Sequence, residues 1–138
     1  MANSTMMPAM RYKDARAAME WLCSVLGFAK HAAYEGPDGK IMHAELTLGG
    51  GMMMLGEARD DEYGKGFKTP AELGGVETRS TYVVVADADA VYARAQAAGA
   101  TIVRAIKNTD YGSREFSVKD PEGNSWSVGT YDPWAQHG

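Results

Sequence analysis

The chain is 138 residues long, with 45% hydrophobic and 23% charged residues, the balance of an ordinary globular protein; this excludes disordered and fibrous classes and suits one domain with a real core. Fourteen Lys and Arg against eighteen Asp and Glu give a net charge of −4 with no basic run, which excludes a phosphate-tracking surface and nucleic acid as a partner. No apolar stretch reaches the roughly 18 residues of a membrane span, the first residues lack a leader pattern, and the single Cys23 cannot pair within the chain, so a cytoplasmic protein that does not enter a membrane is expected.

Sixteen glycines, against a usual share of roughly 7%, point to many tight turns and therefore to several short strands. The first strand is read over Met7–Tyr12. From Asp14 the apolar residues Ala15, Ala18, Met19, Leu22, Val25 and Leu26 follow the helical period, and Gly27 supplies the C-terminal stop. Strands follow over Lys30–Glu35, Lys40–Leu48 and Met52–Leu55, separated by the turns Gly36-Pro37-Asp38-Gly39 and Gly49-Gly50-Gly51. Alternation in Lys40–Leu48 places Met42, Ala44, Leu46 and Leu48 against the helix and His43, Glu45 and Thr47 on the opposite face.

The same order then recurs. Thr81–Ala86 is a strand, and Asp87 opens a second helix through Val91, Tyr92, Ala95 and Ala98 to Gly99, with Asp89 in the first turn where the helix dipole favours negative charge. Strands over Ala100–Lys107, Ser113–Lys119 and Ser125–Tyr131 follow, the last two joined by Asp120-Pro121-Glu122-Gly123. Aligning the halves at Asp14 and Asp87, at Leu46 and Leu48 with Phe116 and Val118, and at Leu55-Gly56 with Val128-Gly129 gives a repeat with a period near 73 residues. The expected organisation is a single α+β domain of two βαβββ modules forming a curved mixed sheet around a cleft, module one over 6–56, a connector over 57–77 and module two over 78–132. A half of that size buries its sheet poorly alone, so the two halves are expected to associate, within the chain or between chains. The connector, with Tyr63, Phe67 and Leu73, reads equally as a lid, a swap hinge or an exposed linker.

Tyr12-Lys13-Asp14-Ala15 entering one helix, Leu26-Gly27-Phe28 leaving it, Ala98-Gly99-Ala100 leaving the other and Asp120-Pro121-Glu122-Gly123-Asn124 before the last strand resemble the vicinal oxygen chelate superfamily of glyoxalases, bleomycin-resistance proteins and extradiol dioxygenases. Within it, Tyr111-Gly112-Ser113-Arg114-Glu115-Phe116 and Trp126-Ser127-Val128-Gly129-Thr130-Tyr131 are most similar to the bleomycin-resistance-like branch. The resemblance implies a cleft between modules, a homodimer and, in metal-dependent members, ligands on the first and last strands of each half. Those positions carry over to Pro8, Thr81, Met54 and Ser127, none of them a usual ligand of a first-row divalent ion, so no metal and no cofactor are expected.

The cleft is then expected to bind a small organic ligand through His43, Glu45, Thr47, Met52, Met54, Glu115 and Ser127, with Pro8, Met10, Tyr12, Val83, Val85 and Ser125 completing the wall. By the repeat, Glu45 and Glu115 become pseudo-symmetric carboxylates. They favour a cationic ligand or, alternatively, form ion pairs with Arg11, Arg79 or Arg114. Methionines such as Met52 and Met54 adapt to irregular shapes. The other reading is a metal-dependent or metal-free enzyme, of lyase or dioxygenase type, using His43, Glu45 and Glu115. Cys23 is expected to be an inert, partly buried thiol.

Overall fold

Asp14 and Asp87 start the helices by one device: each side chain accepts the backbone N–H of the third residue on, Ala17 and Ala90, at 3.0 Å. In the computed structural model, which describes residues 5–137, the elements in chain order are β1 (Ala9–Tyr12), α1 (Ala15–Trp21), β2 (Ala29–Glu35), β3 (Ile41–Leu48), β4 (Gly51–Glu57), β5 (Thr81–Val84), α2 (Ala88–Ala97), β6 (Thr101–Asn108), β7 (Arg114–Lys119), β8 (Ser125–Gly129) and α3 (Pro133–His137). Short 3-10 turns at Gly64–Gly66 and Pro70–Leu73 lie in the connector. Each half is a four-stranded mixed sheet, ordered β1-β4-β3-β2 and β5-β8-β7-β6, with the first and last strand of each half paired in parallel. The paired βαβββ architecture expected from the sequence is present. No helix among the described residues is long and apolar enough to cross a membrane.

The first helix differs in its second half, where Leu22–Leu26 widens into a π-turn before Gly27 closes it in the left-handed region at φ +91°. Leu22, Val25 and Leu26 are all buried there, and the Val25 carbonyl accepts Arg94 Nε of α2 at 3.0 Å. The helical ends of the two modules are thus joined by a side chain that the regular helix period does not anticipate.

Asp120 ties the modules at a second point. It is buried, its Oδ1 accepts the backbone N–H groups of Glu122 and Asn124 at 3.0 Å, and its Oδ2 accepts Trp126 Nε1 at 3.1 Å and the Tyr12 hydroxyl of the other module at 2.6 Å. The Glu122 carboxylate adds bonds from the backbone N–H of Lys13 (2.6 Å) and Asp14 (2.8 Å). Phe28 meets Trp126 edge-to-face at 5.8 Å, and one apolar core runs through both modules, from Tyr12, Leu22 and Leu46 to Phe116, Val118 and Trp126. The Asp-Pro-Glu-Gly-Asn turn is therefore a fastener between halves as well as a hairpin.

Three expectations about faces are corrected. Across β3 and β4 Leu55 opposes Ala44, and across β7 and β8 Val128 opposes Phe116, so Phe116 answers Ala44 rather than Leu46. Glu115 consequently answers His43, and Glu45 answers Ser117. A two-residue slip keeps every side chain on its own face, which is why alternation does not detect it. Second, the ladder runs from Tyr34 opposite His43 to Glu35 opposite Ile41, leaving Met42 unopposed in a bulge; Ile41 turns into the core and Met42 faces outward. Third, Met10, Tyr12, Val83 and Val85 pack toward the core, Tyr12 being fully buried by its bond to Asp120. The opposite faces of β1 and β5 carry Ala9, Arg11, Tyr82 and Val84.

Candidate functional site

Helices cover one face of each sheet, and the chemistry lies on the other, here termed the open face. In module one the alternation of β3 leaves His43, Glu45 and Thr47 there, with Met52 and Met54 of β4 opposite Thr47 and Glu45. His43 Nε2 and Glu45 Oε2 are 2.9 Å apart, His31 Nε2 approaches Glu45 Oε1 at 4.0 Å, and Tyr34 stacks on the His43 ring at 6.1 Å. The Glu45 carboxylate is thus engaged by imidazoles and not by arginine. His31 and Tyr34 were missed at the sequence level because β2 is an edge strand whose bulges break its alternation.

In module two Glu115 is buried on the open face beneath a group of tyrosines. The Tyr111 hydroxyl donates to Glu115 Oε1 at 2.7 Å, Tyr82 donates to the Tyr131 carbonyl at 2.7 Å, and Tyr111 and Tyr131 meet edge-to-face at 5.7 Å. The hydrogen bond to Glu115, followed by burial, raises the Tyr111 phenol above its ordinary value. Burial first, with the Glu115 charge opposing a second anion, also raises Tyr82. Both phenols are therefore held as donors. Ser127 bonds Ser117 at 3.0 Å, and Ser117 accepts Arg104 Nε at 3.0 Å. Arg114 reaches off the sheet to Asp89 at 3.1 Å on the first turn of α2, which satisfies it without Glu115.

The connector supplies the remaining wall of module one. Its Tyr63 and Phe67 rings lie 5.2 and 5.9 Å from the Arg11 guanidinium carbon, over the open face of β1. Between them and the sheet is a cavity of about 420 Å³ lined by Arg11, Met42, His43, Met54, Arg59 and Phe67 among others. A second cavity of about 610 Å³ lies between Met52 of β4, Tyr82 and Val84 of β5, and Trp134 of α3. Of the expected site residues, His43 and Met54 share the first cavity, Glu45 is coupled to it through His43, and Met52 borders the second. Thr47 lies beside Met52, whereas Glu115 and Ser127 belong to the other sheet. Cys23 is half-buried, and burial raises its thiol, which disfavours the thiolate.

The residues do not fit a metal. The positions carried over from the resemblance, Pro8, Thr81, Met54 and Ser127, offer a thioether and two hydroxyls and no imidazole or carboxylate. Among the described residues no three His, Cys, Asp or Glu side chains converge as an ion site, and His43, Glu45 and Glu115 in particular do not.

Comparison with known proteins adds the lineage of this arrangement. The model of the glyoxalase/bleomycin resistance protein/dioxygenase superfamily matches residues 5–128. Protein Rv0887c of Mycobacterium tuberculosis is 34% identical over 122 residues, which cover 88% of this chain and 71% of that protein. The crystal structure of TioX from Micromonospora sp. ML1 superposes with a TM-score of 0.71 and 32% identity over 91% of this chain and 94% of TioX. The fosfomycin resistance protein FosX from Mesorhizobium loti shares the fold at 11% identity, with a TM-score of 0.65 over the full length of both chains.

Proposed function

Because the chain belongs to the glyoxalase/bleomycin resistance protein/dioxygenase superfamily, we propose that it is a cytoplasmic small-molecule-binding protein of the bleomycin-resistance-like group, holding an organic compound on its open sheet faces without a metal. The observation that carries the reading is the cavity of about 420 Å³ under the connector, where methionine and aromatic side chains supply apolar area and a few polar groups converge.

The preference for a cation expected from the sequence rested on two free, symmetric carboxylates. Glu45 is engaged by His43, and Glu115 is buried under Tyr111, so that preference does not enter the proposal. A calorimetric screen of small aromatic and heteroaromatic compounds tests the reading. Saturable binding that Met54→Arg abolishes, with the compound recovered unchanged, is the expected result; no binding across the screen would sink it.

A second reading, a metal-free enzyme, is favoured by the His43–Glu45 contact at 2.9 Å, which suits a general base oriented by a carboxylate. Turnover of a bound compound that is lost in both His43→Ala and Glu45→Ala while affinity is kept would select it. We also propose a homodimer. It is supported by the exposed Tyr82, Val84 and Val103 and by Trp134, which is 85% exposed. A monomeric mass by light scattering at micromolar concentration would exclude it.

A further inference from the structure

The cavity under the connector has a charge of its own. Its lining includes the two guanidinium groups of Arg11 and Arg59 and the His43 ring, and it contains no carboxylate residue. This occurs in a chain whose net charge is −4, so the bias is local. The adjoining mouth carries Lys13, Lys65 and Lys68 against Asp60 and Glu72, with Lys65 paired to Glu62 at 3.6 Å and Lys68 to Glu72 at 4.0 Å, so its lasting cationic surplus is smaller than that of the cavity. Glu72 is already committed, accepting the Thr69 backbone N–H and hydroxyl at 3.1 Å, and the backbone bond holds its carboxyl below the ordinary range.

Arg59 is incompletely satisfied. Its Nε is buried without a hydrogen bond; the nearest acid oxygen, Asp61 Oδ2, stands 3.5 Å away, and the other Asp61 oxygen accepts the Gly64 backbone N–H at 2.7 Å. Asp61 is a long ion-pair partner at Nε, and among the described residues no carboxylate pairs with the terminal guanidinium nitrogens, so these are the donors that an oxyanion in the cavity would take. Arg11 presents the complementary geometry. Tyr63 and Phe67, whose rings are 5.0 Å apart, lie together on one side of its guanidinium, and this cation–π contact uses none of its N–H donors, which a carboxylate or similar group can take. The same rings, with Met42 and Met54, offer apolar surface to a flat body attached to that anion.

We propose that this cavity binds an organic anion, an aromatic or otherwise apolar body carrying a carboxylate or comparable oxyanion, with Arg11 and Arg59 holding the charge and Tyr63, Phe67 and Met54 holding the body. The proposal rests on the small-molecule reading above and specifies its charge class. It sets the charge preference opposite to the one expected from Glu45 and Glu115.

The test uses the full chain and the isosteric probes naphthalene-2-carboxylate, naphthalene-2-carboxamide and 2-naphthylmethylammonium, with inorganic phosphate as the anion lacking an apolar body. By calorimetry the carboxylate is expected to bind at least tenfold more tightly than either other naphthalene probe and than phosphate. Arg59→Gln and Arg11→Gln are each expected to remove that margin while leaving carboxamide affinity within about twofold. A readout on the unaltered protein is the Arg59 Nε–H resonance, expected to shift on saturation with carboxylate and not with carboxamide. Equal or tighter binding of the carboxamide or the ammonium compound, equal binding of phosphate, an unmoved Arg59 resonance, or no carboxylate binding would each overturn the proposal. Binding of the neutral or cationic probe in any of those cases leaves the broader small-molecule reading standing, so the two fail separately.

Discussion

Asp120 is 4% exposed and accepts hydrogen bonds from its own turn, from Trp126 and from Tyr12 of the other module. Replacing it by alanine strands the Tyr12 hydroxyl and the Trp126 indole N–H in a buried site, and bonds to a charged acceptor are worth about 1.5–3 kcal/mol each. Asp120→Ala is therefore expected to lower unfolding free energy by about 3–5 kcal/mol in urea titrations, more than any exposed carboxylate change. The same bond makes stability pH-dependent. Burial first, and then the Asp120 charge, push the Tyr12 phenol far above its ordinary value. In the unfolded chain that phenol loses its proton near pH 10 while the folded chain keeps it, so the contribution is complete below about pH 10 and declines above it. Urea unfolding from pH 9 to 11 is expected to show a steeper loss of stability in the natural chain than in Tyr12→Phe; equal slopes would refute the assignment.

At the scale of elements, glycine positions separate backbone demand from spacing demand. Gly27 ends the first helix at φ +91°, and a Cβ there would also stand 3.3 Å from an Arg94 guanidinium nitrogen, so Gly27→Ala is expected to cost about 1–2 kcal/mol. Gly56 in β4 has no positive φ, yet its Cβ would lie 2.6 Å from the Met42 carbonyl oxygen. Because that neighbour is backbone in the β3 bulge, Gly56→Ala is expected to destabilise by about 1–3 kcal/mol and to perturb His43, whereas Gly50→Ala, with open space around its Cβ, stays within about 0.5 kcal/mol in thermal unfolding. The elements themselves were legible because their signals are local: Asp14 and Asp87 cap within three residues, and Gly27 and Gly99 stop the helices. The site was legible only in part. The alternation in β3 identified His43, Glu45 and Thr47, but β5 reads Thr81-Tyr82-Val83-Val84, where no charged residue marks the outer face. The Met42 bulge and the two-residue slip of Glu115 leave no trace in periodicity. Arg11 and Arg59 were missed as a pair because only the connector brings them to one cavity.

For the whole molecule, the question is whether two βαβββ halves are two folding units. The joining contacts are unusually interior: Tyr12 to Asp120, Phe28 to Trp126, Arg94 to the Val25 carbonyl, and a core cluster that passes through both halves without a break. Separating the halves would expose Tyr12, Phe28 and Trp126 together, each burying on the order of 150–250 Å² as an aromatic. At about 25 cal/mol per Å² that is on the order of 10 kcal/mol, comparable to the stability of an entire small domain. Neither half is then stable alone, and the chain is expected to unfold in one cooperative step. Trp21 lies in the first helix and Trp126 in the last strand, so the two modules carry separate fluorescence reporters. Trp21→Phe and Trp126→Phe variants, each made on a Trp134→Phe background so that one tryptophan remains, followed by fluorescence and far-ultraviolet circular dichroism, are expected to give coincident transitions within each variant. Residues 6–56 expressed alone are expected to show no cooperative transition. A folded, cooperatively melting 6–56 fragment would show that the modules are independent and that the Asp120 fastener sets orientation rather than existence of the fold.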